Sequence, residues 1–248
     1  MVASVAMAPT DLISFLFDAQ PHPLRAAMAE WLESSRRFTA FVEANDNKIR
    51  KKLRTVQDPE AIRDLMLELE TAWLLLRERS LGVAYEPQLS TGIRSPDFAV
   101  SFTTSLEFML EVTRLRPPAT REGEGQLEPT VLGDRLISLL CSKLGQLVTQ
   151  KPNVILAGQE GTSITADQVQ AALLRLQQRA EREDAAVIQR QGFHDRADFF
   201  RYYGRLSALL VRNVPLQDGK PAILWPNPQT RHPLPPKIRT ALVRSHTF

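Results

Sequence analysis

Apolar residues recur at helical spacing over the first part of the chain. They form a short run in Asp11–Phe17 and a longer amphipathic stretch over Leu24–Val56. Asp58 then stands before Pro59 as an N-cap followed by proline at the first helical position, and helical periodicity continues beyond it. The pattern predicts an N-terminal helical extension over residues 1–57, followed by a long helix that opens a second domain.

After Gly82 the pattern changes to short runs of β-type residues with turn residues between them. Three runs follow one another, Val83–Leu89, Pro96–Phe102 and Leu106–Leu115, and they predict a three-strand meander. The next segment, Pro117–Glu128, holds prolines, glycines and charges without periodicity. It predicts a loop.

The remaining pattern predicts alternating helices and strands over the rest of residues 58–248. A helix is expected over Thr130–Gln150, followed by a short buried strand at Asn153–Ala157. The order helix, three strands, helix, strand favours an α/β fold with a C-terminal α/β addition. That addition comprises helices at Thr165–Arg190 and Asp195–Tyr203, strands at Leu206–Arg212 and Ala222–Trp225, a proline-rich turn at Pro226–Pro236, and a helix from Lys237.

Composition narrows the class of protein without naming a function. Hydrophobic residues make up 43% of the chain and charged residues 24%, which excludes wholesale disorder and fibrous repeats. The net charge of +3 permits nucleic acid as a partner without requiring it. The single cysteine, Cys141, cannot form an internal disulfide, and the first residues fit neither a signal peptide nor a membrane span. We therefore expect a soluble cytoplasmic protein with no membrane partner.

Two carboxylates interrupt the predicted meander. Since side chains alternate along a strand, Asp97 begins the smaller and more polar face of the second strand, and Glu111 interrupts an apolar stretch of the third. A carboxylate in a central strand is costly to bury unless a positive group compensates it. A divalent cation shared by Asp97 and Glu111 would do so, and the pattern predicts such a metal site.

The helix after the loop carries a lysine within its leucine stripe. At ~100° per residue, Lys143 falls near the centre of that stripe, with Gln146 beside it. A buried amine needs carboxylate or phosphate oxygens nearby. Lys143 is therefore expected to point toward the sheet face that carries Glu111.

These residues resemble the motif of the PD-(D/E)XK nuclease superfamily, whose restriction-endonuclease-like core has the order helix, three-strand meander, helix, strand. The resemblance covers about residues 59–159, and the motif stands as SPDF at 95–98 and LEVT at 110–113. In that family the two acids hold Mg²⁺, and a lysine two residues after the second acid activates water. Thr113 occupies that position here. Members whose lysine comes from the following helix are known, so the resemblance implies this catalytic role for Lys143.

The resemblance also implies further acidic residues near the metal. Glu70 on the long helix completes the predicted metal set with Asp97 and Glu111, for Mg²⁺ or Mn²⁺. Glu68 flanks the same apolar stripe at a similar angle, so periodicity does not choose between the two, and Glu86 on the first strand is another candidate. The segment LWPNP at 224–228 resembles the tail of uncharacterised bacterial proteins of this kind.

The resemblance implies metal-dependent phosphodiester hydrolysis of nucleic acid, with DNA as the expected substrate. Two alternatives stay open: a catalytically inactive nuclease-like domain that binds nucleic acid or protein, favoured by Thr113, and an interaction scaffold in which Asp97 and Glu111 are unrelated. The basic run at residues 48–54 could track a phosphate backbone, although a solvated helix face explains it better. The sequence leaves the oligomeric state open, a homodimer included.

Overall fold

The computed structural model describes residues 7–18, 20–89, 95–103, 106–116, 129–161, 163–182, 185–216 and 220–247. The predicted loop at 117–128 lies outside these ranges. None of the described helices is long and apolar enough to cross a membrane. The elements in chain order are α1 (Pro9–Phe17), α2 (Arg25–Ser34), α3 (Arg36–Ala44), α4 (Asp46–Thr55), α5 (Pro59–Arg77), β1 (Leu81–Tyr85), β2 (Phe98–Phe102), β3 (Leu106–Leu115), α6 (Pro129–Leu144), β4 (Asn153–Gln159), α7 (Ala166–Glu181), α8 (Ala185–Arg190), α9 (Arg196–Tyr203), β5 (Leu206–Asn213), β6 (Ile223–Pro226) and α10 (Pro236–Ser245).

The strands form one six-stranded sheet in the order β1-β2-β3-β4-β5-β6. The first three strands are an antiparallel meander, as predicted, while β3, β4 and β5 run parallel and β6 returns antiparallel. The α/β class is therefore confirmed. The two parallel pairs are joined by α6 and by the segment α7–α9, because parallel neighbours require a crossover connection.

The sheet is covered on both faces. On one face, Leu110, Val154 and Leu210 pack in a cluster with α1–α5 and α10. On the other face, Ile155 and Leu209 pack with α6, α7 and α9. Every residue of β4 is buried, which explains why its sequence is a continuous apolar run rather than an alternating one.

The N-terminal stretch over residues 24–56 was predicted as one amphipathic helical stretch, and it forms three separate helices, α2, α3 and α4. The first break falls at Ser35, whose backbone is extended and whose hydroxyl accepts a hydrogen bond from Phe38 N at 3.2 Å, and the second falls at Asn45. An N-cap of this kind satisfies an unpaired amide of a new helix, so it starts α3 rather than continuing α2. The predicted cap of α5 is present, with Ala61 N 2.8 Å from Asp58 Oδ2.

Other predicted boundaries shift for local reasons. The first strand was expected to reach Leu89 and ends at Tyr85, because Glu86 has a φ of 43° that a strand does not accommodate. The helix expected to reach residue 150 ends at Leu144, and the helix over 165–190 is divided into α7 and α8.

Gly158 in β4 lets α5 pack closely on the sheet. A Cβ atom there would lie 2.6 Å from Leu67 Cδ2 and 2.9 Å from Val214 Cγ2. We expect Gly158→Ala to lower the free energy of unfolding by about 1–3 kcal/mol, because the buried Leu67 must shift. Urea denaturation measures the change. Gly145→Ala is the control, since nothing lies within 4 Å of its added Cβ, and equal losses in both variants would contradict the close packing.

Candidate functional site

Asp97 and Glu111 lie opposite each other at the end of the β2–β3 ladder. The last register pair joins Phe98 to Leu110, so the next pair outward is Asp97 and Glu111, on one side of the sheet. Beyond Leu110, β3 pairs only with β4 in the described part of the chain. Asp97 Oδ2 accepts a hydrogen bond from Val112 N at 2.7 Å. The carboxylate thereby takes the place of the backbone carbonyl that a longer β2 would offer to this amide.

The two carboxylates repel each other in a poorly solvated position. Burial and the negative charges of Glu111 and Glu68 together raise the pKa of Asp97 to about 7, although the hydrogen bond from Val112 lowers it. The Glu111 side chain is 7% exposed. The site therefore holds more negative charge than its own surroundings neutralise, which is the electrostatic condition of a cation site.

Lys143 supplies the positive charge nearest to Glu111. Its Nζ lies 2.9 Å from Glu111 Oε1, and its side chain is 18% exposed. The contact has the geometry that helix periodicity predicted, since Lys143 is in the last turn of α6 and faces the sheet. Gln146 lies in the turn after α6, where its backbone N donates to Lys143 O at 3.0 Å.

An open cleft of about 760 Å³ runs along the edge of β3 that no described strand pairs with, between α5 and α6. Asp97, Glu111 and Lys143 all line it. Thr113 also lines the cleft, on the same strand face as Glu111, so a lysine at this position would reach the cleft. The hydroxyl of Thr113 cannot act as a base or carry a positive charge at neutral pH.

Glu68, rather than Glu70, is the α5 carboxylate that joins this cluster. Glu68 lines the cleft and its Oε1 lies 2.7 Å from Lys52 Nζ. The same amine lies 2.7 Å from Glu86, so one lysine of α4 bridges two of the candidate acids. Glu86 follows β1 and is not among the residues that line the cleft.

Glu70 lies elsewhere, which corrects its assignment to the metal set. Its Oε2 is 2.6 Å from Arg212 Nη2 of β5, and the Arg212 side chain is fully buried. Burial lowers the pKa of Arg212, and burial beside this guanidinium also lowers the pKa of His246 to about 3. Glu70 is thus the counter-ion of a buried cation and is not available to a metal.

The sequence interpretation missed a second ionic cluster at the other end of the cleft. The Arg114 side chain is fully buried and contacts Glu60 at 2.6 Å, Asp64 at 2.8 Å and Glu160 at 2.9 Å. Alternation along β3 places Arg114 on the face toward α5, opposite to Glu111. The one available signal was an arginine in an apolar strand, and its partners are 46 to 54 residues away.

The described residues contain no group of three or more His, Cys, Asp or Glu side chains arranged to hold a metal ion. Two carboxylates do converge, and Mg²⁺ is commonly held by one or two carboxylates with waters and substrate phosphates completing its shell. The donor set of Asp97 and Glu111 fits that chemistry. No family model, curated protein or solved structure matches the chain.

The raised pKa of Asp97 has a consequence for stability. Between pH 4 and pH 7 the unfolded chain has lost this proton while the folded chain keeps it, so stability falls as pH rises through that range. We expect Asp97→Asn to be more stable than the wild type by about 1–3 kcal/mol at pH 8, and to differ little at pH 4. Urea denaturation in EDTA measures the difference. An increase in stability that is the same at pH 4 and pH 8 would contradict the raised pKa of Asp97 as its cause.

The Glu70–Arg212 pair leads to a second stability prediction. Glu70→Ala leaves a buried guanidinium without its counter-ion, and we expect a loss of about 3 kcal/mol or more in the free energy of unfolding. Glu68→Ala is the matched control, two residues away on the same helix. Its loss of stability should be smaller, because its partner Lys52 is 29% exposed. A larger loss for Glu68→Ala would contradict these roles.

Proposed function

We propose that this protein is a divalent-metal-dependent hydrolase of phosphodiester bonds in nucleic acid, with DNA as the expected substrate. The observation that carries the proposal is the pair Asp97 and Glu111, opposed across the end of two strands, with the Lys143 amine 2.9 Å from Glu111. All three side chains open onto one cleft. Paired acids with an adjacent amine are suited to binding a cation and an anionic ester together.

The order of elements supports a restriction-endonuclease-like core. A helix, α5, precedes an antiparallel meander, and α6 then crosses to β4, which pairs parallel with β3. This is the order that the sequence resemblance implies for residues 59–159. Asp97 directly precedes β2 and Glu111 is on β3, at the point where the two strands separate.

The site residues have separate tasks in this proposal. Asp97 and Glu111 would hold Mg²⁺. When bound, this cation would neutralise negative charge on a phosphate oxygen and lower the pKa of a bound water. Asp97 must be ionised to serve, and with a pKa of about 7 it is largely so only above neutral pH. Lys143 donates from Nζ, which orients Glu111 and can hold the attacking water or a phosphate oxygen. The water oxygen bonds to phosphorus and gives up one proton to solvent, one P–O ester bond breaks, and the leaving oxygen takes up a proton from solvent.

A catalytically inactive domain that binds nucleic acid is the second candidate. It is favoured by Thr113, which lines the cleft where the family motif has its lysine. In this case Lys143 would serve only as the counter-ion of Glu111. The two candidates differ in whether the acids bind metal, and calorimetry with Mn²⁺ separates them.

We expect Mg²⁺- or Mn²⁺-dependent cleavage of plasmid and oligonucleotide DNA. Asp97→Ala and Glu111→Ala should each lower the rate on the order of 10²-fold or more, because each removes a ligand of the metal ion, and the positive charge of that ion stabilises the transition state. Lys143→Gln should lower kcat by a similar factor while leaving Mn²⁺ affinity undiminished, since it removes a competing cation.

Glu107→Ala is the matched control for these variants. Glu107 is on the same strand as Glu111, but it is 43% exposed and bonds to Lys151. Wild-type cleavage and Mn²⁺ binding are expected for it. Cleavage that survives the Asp97→Ala, Glu111→Ala double variant would contradict the proposed site, and the absence of both cleavage and Glu111-dependent Mn²⁺ binding would leave the binding-module function.

A further inference from the structure

The N-terminal helical extension contacts the acid cluster through the Lys52 side chain of α4. Lys52 Nζ lies 2.7 Å from Glu68 Oε1 and 2.7 Å from Glu86 Oε1. The Lys52 side chain is 29% exposed and that of Glu68 is 14% exposed. Solvent screens a partly buried pair much less than a surface pair. Removal of the lysine would therefore leave a poorly screened negative charge on Glu68.

Two arginines fix the rotation of α4 about its axis. Asp18, the residue after α1, accepts hydrogen bonds from both Arg50 and Arg54. Each arginine is two residues from Lys52, which corresponds to about 200° of rotation around the helix, so Lys52 is on the opposite side of α4. The contact between Lys52 and Glu68 is therefore set by the packing of the extension.

A pair of aromatic rings connects Lys52 to Asp97. Lys52 Nζ lies 4.7 Å from the centroid of the Tyr85 ring, and this ring stacks on Phe98 with a centroid distance of 5.6 Å. Tyr85 and Phe98 are register partners of β1 and β2, and Phe98 directly follows Asp97. An amine over the face of an aromatic ring is attracted to it. The amine of Lys52 is thus held beside the strand end that carries Asp97.

The charge of Lys52 acts on two acids that line the cleft, Glu68 and Asp97. The negative charge of Glu68 raises the pKa of Asp97, and the positive charge of Lys52 lowers it. Lys52 therefore opposes the effect of Glu68 on its neighbour. A cation at the site meets less negative charge while Lys52 is paired with Glu68.

We propose that Lys52 is a positioning residue of the metal site, whose amine holds the Glu68 carboxylate and thereby limits the affinity of the paired acids for a divalent cation. The inference rests on the proposed function, because it requires that the paired acids, Asp97 and Glu111, bind metal. Without Lys52, the Glu68 charge is uncompensated and strengthens the attraction of the cation. Lys143 comes from α6, whereas Lys52 gives the N-terminal helical extension a role at the site.

The test is calorimetric titration of the full chain with Mn²⁺ in the absence of DNA. Lys52→Met removes the charge and keeps a long side chain. We expect Lys52→Met to bind Mn²⁺ roughly 5-fold or more tightly than the wild type, because a positive charge near the metal is removed. Lys52→Arg keeps the charge and should bind Mn²⁺ as the wild type does. A purely structural lysine would give weaker binding when it is removed.

Two further variants test whether Lys52 acts through Glu68. In a Glu68→Gln background, the tightening caused by Lys52→Met should fall to about 2-fold or less, since the amide has no charge to expose. Lys48→Met is the matched control on the same helix, because Lys48 is 46% exposed and its Nζ lies 3.9 Å from Glu86. It removes the same charge where solvent screens it, so its Mn²⁺ affinity should stay within about 2-fold of the wild type.

An Mn²⁺ affinity of Lys52→Met that equals or falls below that of the wild type would overturn the inference and leave the paired acids in place. Equal tightening in Lys48→Met, or in the presence and absence of the Glu68 carboxylate, would also overturn it. If neither the wild type nor any variant binds Mn²⁺, both this inference and the metal site are wrong. A chain that shows the expected affinities but never cleaves DNA would retain the role of Lys52 and lose the proposed hydrolase function.

Discussion

Two like charges face each other at the start of β2, where β3 continues beyond the last residue that pairs with β2. Asp97 and Glu111 are register neighbours, so the sheet itself fixes their approach, and the amide of Val112 holds one carboxylate in place. Burial and mutual repulsion raise the pKa of Asp97 to about 7. Lys143 and Lys52 offset part of the charge from two different helices. The remaining electrostatic cost is what a bound cation would relieve.

The same break in the ladder creates the cleft. Because β3 extends past the start of β2, its far half has an uncovered edge in the described part of the chain, and α5 and α6 form the two walls beside it. Asp97 and Glu111 lie at one end of the cleft, and at the other end Arg114 is buried among three acids between α5 and β4.

Local signals in the sequence predicted local structure well. The cap at Asp58, the alternation of the meander and the angular position of Lys143 depend on neighbours within a few residues, and each is observed. The choice between Glu68 and Glu70 depended on Arg212, which is 142 residues from Glu70. The cluster around Arg114 was missed for the same reason, because tertiary packing brings its members together and their spacing carries no period.

The most direct test of the carboxylate pair is a crystal soaked in Mn²⁺ and measured at an anomalous wavelength. We expect one anomalous peak bonded to oxygens of both Asp97 and Glu111, at ~2.1–2.2 Å, with Lys143 Nζ displaced from Glu111 Oε1 or shared with a bound water. A crystal with no peak at the pair, and with the 2.9 Å contact between Lys143 and Glu111 intact, would contradict it.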